Sequence, residues 1–297
     1  MTARETAHMS DGGGEARIHD RGYRRYEGTR TGVAGAVLTL YRHTLARVLG
    51  LRRSARAKVL PFLAAALAYF PAIVLIGIGV FLPKRLNESA FPGYPDYYGF
   101  IVAAILLFVA FSAPEALCPD RRHRVLGVYF TSPLDRRTYL LAKFAAVVTS
   151  ISIVTLLPLL VLALARSLQG FGPKPADLAV LLVRILVSGF MLAVFYGAFS
   201  LASSALTDRK GFASAGVILA VIVTSAAAGV LHERNGDDWP VVINLAALPY
   251  ALVRRIYGTT GVAPTVSTLT LAAAVVVWIA VSIGIVIGQY RHLEVTR

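Results

Sequence analysis

Six stretches of the chain are almost wholly apolar, and polar segments separate them. They run over Leu60–Leu82, Tyr98–Cys118, Ala142–Ala165, Ala176–Leu206, Phe212–Leu231 and Leu269–Tyr290. At about 1.5 Å of rise per residue, roughly 20 residues of helix cross the hydrocarbon core, so each run predicts a transmembrane helix. The fourth is longer than a crossing requires, which predicts tilt or projection past the membrane. Pro61, Pro71, Pro114 and Pro158 fall inside these runs. Membrane helices tolerate them, because neighbouring helices satisfy the freed carbonyls.

Ahead of the first run the period changes. Val33, Val37, Leu40, Tyr41, Leu45, Val48 and Leu49 share one helical arc, and Arg42, His43 and Arg47 fall on the other. Arg52, Arg53, Arg56 and Lys58 follow at once. Residues 32–50 therefore predict an amphipathic helix along the inner leaflet, with its arginines toward anionic headgroups. An ordinary juxtamembrane anchor has the same pattern. Residues 1–31 predict a polar cytoplasmic tail without the apolar core of a signal peptide. Within it, Ile18–Gly28 mixes aromatic, basic and glycine residues, so Tyr23 and Tyr26 are candidate contacts for a partner protein, against a plain disordered tail.

Composition agrees with the pattern. The chain is 56% hydrophobic and 15% charged, against about 25% charged in soluble domains. The formal net charge of +14 admits a nucleic-acid partner, but the basic residues lie between the apolar runs. With six spans and the N-terminus inside, 22 of the 30 Lys and Arg residues fall on the cytoplasmic side. The positive-inside rule then puts both termini in the cytoplasm and accounts for the charge without nucleic acid. The single cysteine, Cys118, excludes an intramolecular disulfide and a multi-cysteine metal site. The six histidines have no metal-ligand spacing, and no Gly-rich phosphate loop ending in Gly-Lys-Ser/Thr occurs. No catalytic constellation, metal site or resident cofactor is therefore expected. Asn87-Glu88-Ser89 matches a glycosylation sequon, and Asp237-Asp238 reads as a solvated turn.

The segment between the second and third runs carries the most information. It reads Pro114-Glu115-Ala116-Leu117-Cys118-Pro119-Asp120-Arg121-Arg122-His123-Arg124-Val125-Leu126-Gly127-Val128-Tyr129-Phe130-Thr131-Ser132-Pro133-Leu134-Asp135-Arg136-Arg137-Thr138-Tyr139-Leu140-Leu141-Ala142-Lys143. A short apolar helix from Leu126 should end at Ser132-Pro133, and its exposed apolar residues would mark a docking element. Arg136 and Arg137 should then meet lipid phosphates. The order acidic residue, arginines, Leu-Gly, Ser-Pro-Leu-x-Arg, Tyr-Leu-x-x-Lys resembles the permease subunits of ABC-type exporters of the drug and polysaccharide kind. The resemblance covers roughly Gly32 to Arg297. It implies six spans, an elbow helix over residues 32–50 involving Tyr41, Arg42 and Arg47, and a coupling loop over residues 119–141. It assigns coupling to a separate ATP-binding subunit to Glu115, Arg121, Arg122, Arg124, Leu126, Gly127, Tyr129, Pro133, Leu134, Arg136 and Lys143. ATP and magnesium would belong to that subunit. A second permease copy or a homologous permease, and membrane lipids, are the other implied partners. Cys118-Pro119-Asp120 departs from the family pattern, and Pro119 predicts a bend or early end of the second span.

The last outside segment, residues 232–267, contains an apolar run interrupted by Pro249 and closed by Arg254 and Arg255. It predicts a re-entrant or interfacial helix. The resemblance implies an external lid there, with Asn244, Pro249 and Tyr250 near the translocation path. Arg184, about eight residues into the fourth run, either meets an anionic substrate or snorkels to headgroups. The expectation is an all-α integral membrane protein of a bacterial plasma membrane. It forms half of an exporter pathway for hydrophobic or amphipathic cargo. An ion-coupled secondary transporter, a membrane lipid-modifying enzyme and a scaffold or sensor subunit are the rivals.

Overall fold

The computed structural model describes residue 28 and residues 32–51, 55–81, 91–131 and 133–292. The rest of the 1–31 tail, the sequon at 87–89, Arg52 and Arg53 lie outside the described residues. Gly32–Arg297 is one compact unit. Every regular element described in it is helical: α1 (Gly32–Val48), α2 (Ala55–Phe81), α3 (Tyr94–Ser112), α4 (Pro114–Arg122), α5 (Leu126–Thr131), α6 (Arg136–Thr155), α7 (Leu157–Leu168), α8 (Pro175–Ala205) and α9 (Lys210–Asn235). A 3-10 turn (Trp239–Ile243), α10 (Ala247–Ile256) and α11 (Thr268–His292) complete the order.

Among the described residues, six helical segments are long and apolar enough to cross a membrane: Lys58–Phe81, Tyr94–Arg122, Arg136–Leu168, Asp177–Ala205, Lys210–Asn235 and Thr268–Arg291. Each covers one of the six apolar runs. The protein is an all-α chain with six candidate spans, as its hydrophobic pattern predicts. The third span begins six residues earlier than the apolar run, at Arg136. Lys143 therefore stands two turns inside the helix rather than at its start.

The second and third spans are each built from two helices. The first break falls at Ala113, before Pro114, and the second at Leu156, before Pro158. Both prolines occupy the first turn of the new helix, where a missing N–H costs little. Pro119, by contrast, sits inside α4 without ending it. It forgoes one ladder bond to the carbonyl of Glu115, and the helix continues to Arg122 because neighbouring elements hold it. The predicted early end at Pro119 is thus displaced to Ala113.

Small residues and aromatics set the packing. Ala64, Ala68 and Ala72 form a buried i, i+4 stripe on α2. Tyr97 of α3 donates to the Ala68 carbonyl at 2.7 Å. The second break meets α8 at Gly189, where a Cβ would collide with the Leu156 side chain. Thr155 Oγ1 donates to the Gly189 carbonyl at 2.9 Å, using the same close approach. On α1, Leu40, Thr44 and Val48 are buried at i, i+4, i+8. The helix packs chiefly on α6 and also on α4.

Candidate functional site

Of the four charged side chains buried among the described residues, Glu115, Asp120 and Lys143 lie on or against α4, while Arg166 stacks on Phe91 and Phe171 elsewhere. Asp120 is 2% exposed and Lys143 is 0% exposed, and their side chains meet at 2.6 Å. Nη1 and Nη2 of Arg47 both donate to Asp120 Oδ1 at 2.9 Å. The Tyr139 hydroxyl donates to Asp120 Oδ2 at 2.9 Å. Arg47 also donates to the Ala116 carbonyl at 3.1 Å. One carboxylate thus joins α1, α4 and α6 through two cations and a phenol. Charge-assisted bonds of this kind are stronger than neutral ones, and a buried charge without them would be costly.

Two further ion pairs leave α4 in another direction. Glu115, 6% exposed by its side chain, accepts from Lys210 Nζ of α9 at 2.7 Å. Arg121 Nε lies 2.8 Å from Asp208 in the turn between α8 and α9, and Arg121 also donates to the Ala205 carbonyl. A nine-residue helix is therefore pinned by charge to α1, α6 and the α8–α9 corner. The turn after it is unusual. Arg124 has φ 54°, the one non-glycine residue with positive φ among those described. It lets the Val125 N–H reach back to the Asp120 carbonyl at 3.2 Å. For an L-residue this conformation costs roughly 1–2 kcal/mol.

The structure sorts the residues singled out from the sequence. Arg122, Arg124, Pro133, Arg136 and Arg137 are exposed, together with His123 and Asp135. Leu134 is buried, and Leu126, Gly127 and Tyr129 are half-buried. Leu126 and Tyr129 pack against the core rather than forming an exposed apolar patch. The Tyr129 ring stands 5.6 Å from that of Tyr139. Most of the exposed side chains described in this segment are basic. Arg136 donates to the Tyr290 and Arg291 carbonyls at 3.4 and 3.2 Å, tying α6 to the end of α11. Arg47 is likewise turned inward to Asp120, whereas Arg42 is exposed. Tyr41 donates to Thr149 Oγ1 at 3.1 Å, a second link from α1 to α6.

Asp120 itself escaped the sequence reading, which took it only as part of a departure from a pattern. A carboxylate at the end of an apolar run is a signal in its own right, since intramembrane charges are expensive and come paired. Its partners are 73 and 23 residues away, so local spacing does not reveal them.

At the opposite end the contacts are of another kind. Asn244 Oδ1 accepts from the N–H groups of Ala246 and Ala247, both at 3.0 Å, and from Ser225 Oγ at 3.0 Å. It caps α10 and ties it to α9. Pro249 is buried within α10. Tyr250 receives a bond from Arg254 at 3.1 Å and lies so close to α3 that a Cβ on Gly99 would come within 2.8 Å of its hydroxyl. Arg254 pairs with Asp96, and the Tyr250 hydroxyl, then Asp96, hold its pKa up. Arg255 donates to the carbonyls of Ala263, Pro264 and Val266. Asp238 is more than a solvated turn: it accepts from the Thr265 hydroxyl at 2.7 Å and its N–H at 3.1 Å, which lowers its pKa. Arg184 is half-buried on α8, near Tyr257, whose hydroxyl burial pushes up to about 12.

The ABC-2 family transporter protein profile matches residues 77–283, from the end of α2 into α11. The chain belongs to the ABC-2 family of transporter proteins. It is an ABC transporter permease, a multi-pass membrane component of a transport system, and that family works with an ABC ATP-binding partner. A search of curated proteins found no match.

Proposed function

We propose that this chain is half of the translocation pathway of an ATP-driven exporter of hydrophobic or amphipathic molecules. A second copy or a homologous permease supplies the other half. A separate ATP-binding subunit, which carries the ATP and magnesium, docks on the segment from α4 to the start of α6. The observation that carries this reading is the pairing of two properties in one place. The outward side of that segment is basic, with Arg122, His123, Arg124, Arg136 and Arg137 exposed. Its inward side is locked by buried charge to α1, α6 and α9. A push on the outer side is therefore delivered to three other helices at once, as a two-state coupling element requires.

In this reading α1 is the elbow helix, both termini are cytoplasmic, and the membrane is a bacterial plasma membrane. Residues 32–297 are the permease domain and residues 119–141 the coupling loop. Residues 232–267, with α10, form the external lid beside the pathway. The spans offer few polar groups to a sugar or an ion, which favours apolar cargo.

The test is purification of the tagged full chain from its native membrane in mild detergent, with mass spectrometry of what accompanies it. A near-stoichiometric partner with a phosphate-binding loop is expected, and it should be lost from the Arg122→Glu/Arg124→Glu variant. Absence of any ATPase, in a preparation that keeps other membrane complexes intact, would overturn the reading.

A further inference from the structure

A cleft of about 570 Å³ opens between α6 and α11 at the α4 end of the bundle. Its walls are apolar: Leu140 and Phe144 come from α6, and Ile283 and Ile287 from α11. Its floor is Leu117, Ala198 and Leu201, all buried. The small Ala198 side chain makes this a recess rather than a convex helix surface. Arg136, Arg137 and Arg291 stand around it. Lys143 also borders it, but its ammonium is committed to Asp120.

The position of these groups along the spans defines an occupant. Arg136 begins the third candidate span and Arg291 ends the sixth. Span ends lie at headgroup level, where arginine meets lipid phosphate. Phe144 lies eight residues further in, about 12 Å along the helix, at acyl-chain depth. The cleft is thus cationic at headgroup depth and apolar at chain depth. Its volume falls within the roughly 300–1,000 Å³ typical of ligand sites. Arg137 and Arg291 have no acidic partner among the described residues, and both are exposed.

We propose that this cleft seats one anionic phospholipid, its headgroup phosphate on Arg137 and Arg291 and an acyl chain between α6 and α11. A bound chain there fills the gap beside the α6–α11 clasp made by Arg136. It would bias the position of α6, and so of Lys143 and Asp120. The inference stands on the cleft alone and does not depend on the ATPase reading.

Native mass spectrometry of the full-length chain in detergent, titrated with phosphatidylglycerol or phosphatidylcholine of identical acyl chains, tests it. Wild type should prefer phosphatidylglycerol by roughly ten- to thirtyfold, the scale set by two basic residues at a membrane surface. Arg137→Gln/Arg291→Gln should bring that preference to about twofold or less. Ile287→Trp, which fills the recess and keeps the guanidiniums, should weaken binding of both lipids. Equal binding of the two lipids by wild type overturns the proposal, as does full binding by Ile287→Trp. So does displacement of the lipid by millimolar inorganic phosphate, which would place a free anion there. If phosphatidylglycerol binds only after removal of residues 293–297, the chain's own terminus is the occupant and the proposal falls.

Discussion

The two ends of the bundle are fastened by different chemistry. At the α4 end, buried carboxylates reach across the sequence to cations on other helices: Asp120 to α1 and α6, Glu115 to α9. At the α10 end, most polar contacts run to nearby backbone. Asn244 caps its own helix, and Arg255 wraps the carbonyls of the loop that follows it. The ion pair there that reaches furthest along the chain, Arg254 with Asp96, uses a carboxylate that is 36% exposed. The contrast separates two tasks. Backbone stitching fixes a loop to its own neighbourhood whatever the helices do. Buried ion pairs make the position of one helix depend on three others, and they are costly to leave half-made.

Breaking the comparison at its strongest point should have the largest effect. Asp120→Asn leaves Arg47 and Lys143 facing each other without their anion. A loss of about 3–5 kcal/mol is expected, read as a large drop in thermal midpoint in mild detergent. Lys143→Met in the same background should recover part of it, because it removes one unpaired cation. A smaller loss would show that solvent reaches the cluster. At the other end, Arg255→Ala removes a cation from three carbonyls, and about 2 kcal/mol is expected by the same assay. Asn244→Ala should cost about 1 kcal/mol, the usual worth of a helix cap. Arg124→Gly should stabilise by roughly 1 kcal/mol, since glycine adopts the left-handed turn without strain. The smallest effect is the pH response of Asp238. Its carboxyl is held low by Thr265, so the contribution of this bond is complete above the ordinary carboxylate pKa and fades as pH falls through the lowered one. Thr265→Val should abolish that acid-side dependence in amide exchange of the loop.

The spans were legible because a bilayer imposes one length on apolar runs, and nothing in this chain competes with it. The breaks were not legible, because Pro114 and Pro158 read only as prolines that a membrane helix tolerates, like Pro61 and Pro71. Pro114 and Pro158 mark new helices, whereas Pro119 looks the same in sequence and is carried through by the pairs on either side of it, Glu115–Lys210 and Asp120–Lys143. Periodicity put Arg42, His43 and Arg47 on one face of α1, but Arg47 turns inward to Asp120. Periodicity assigns a residue to a face and leaves open what that face meets. The same limit applies to α5, where Leu126 and Tyr129 read as part of a docking patch and pack against the core.

The break at Ala113 has a mechanical consequence. A continuous second span would carry an axial load along its whole length, like a piston. Ahead of Pro114 the ladder is interrupted while the backbone of Ala113 stays helical, and the shorter length beyond it is tied sideways to its neighbours. A displacement applied beyond Arg122 is therefore shared with α1, α6 and α9 through these pairs. The lever arm is α4 itself, about 13 Å of helix.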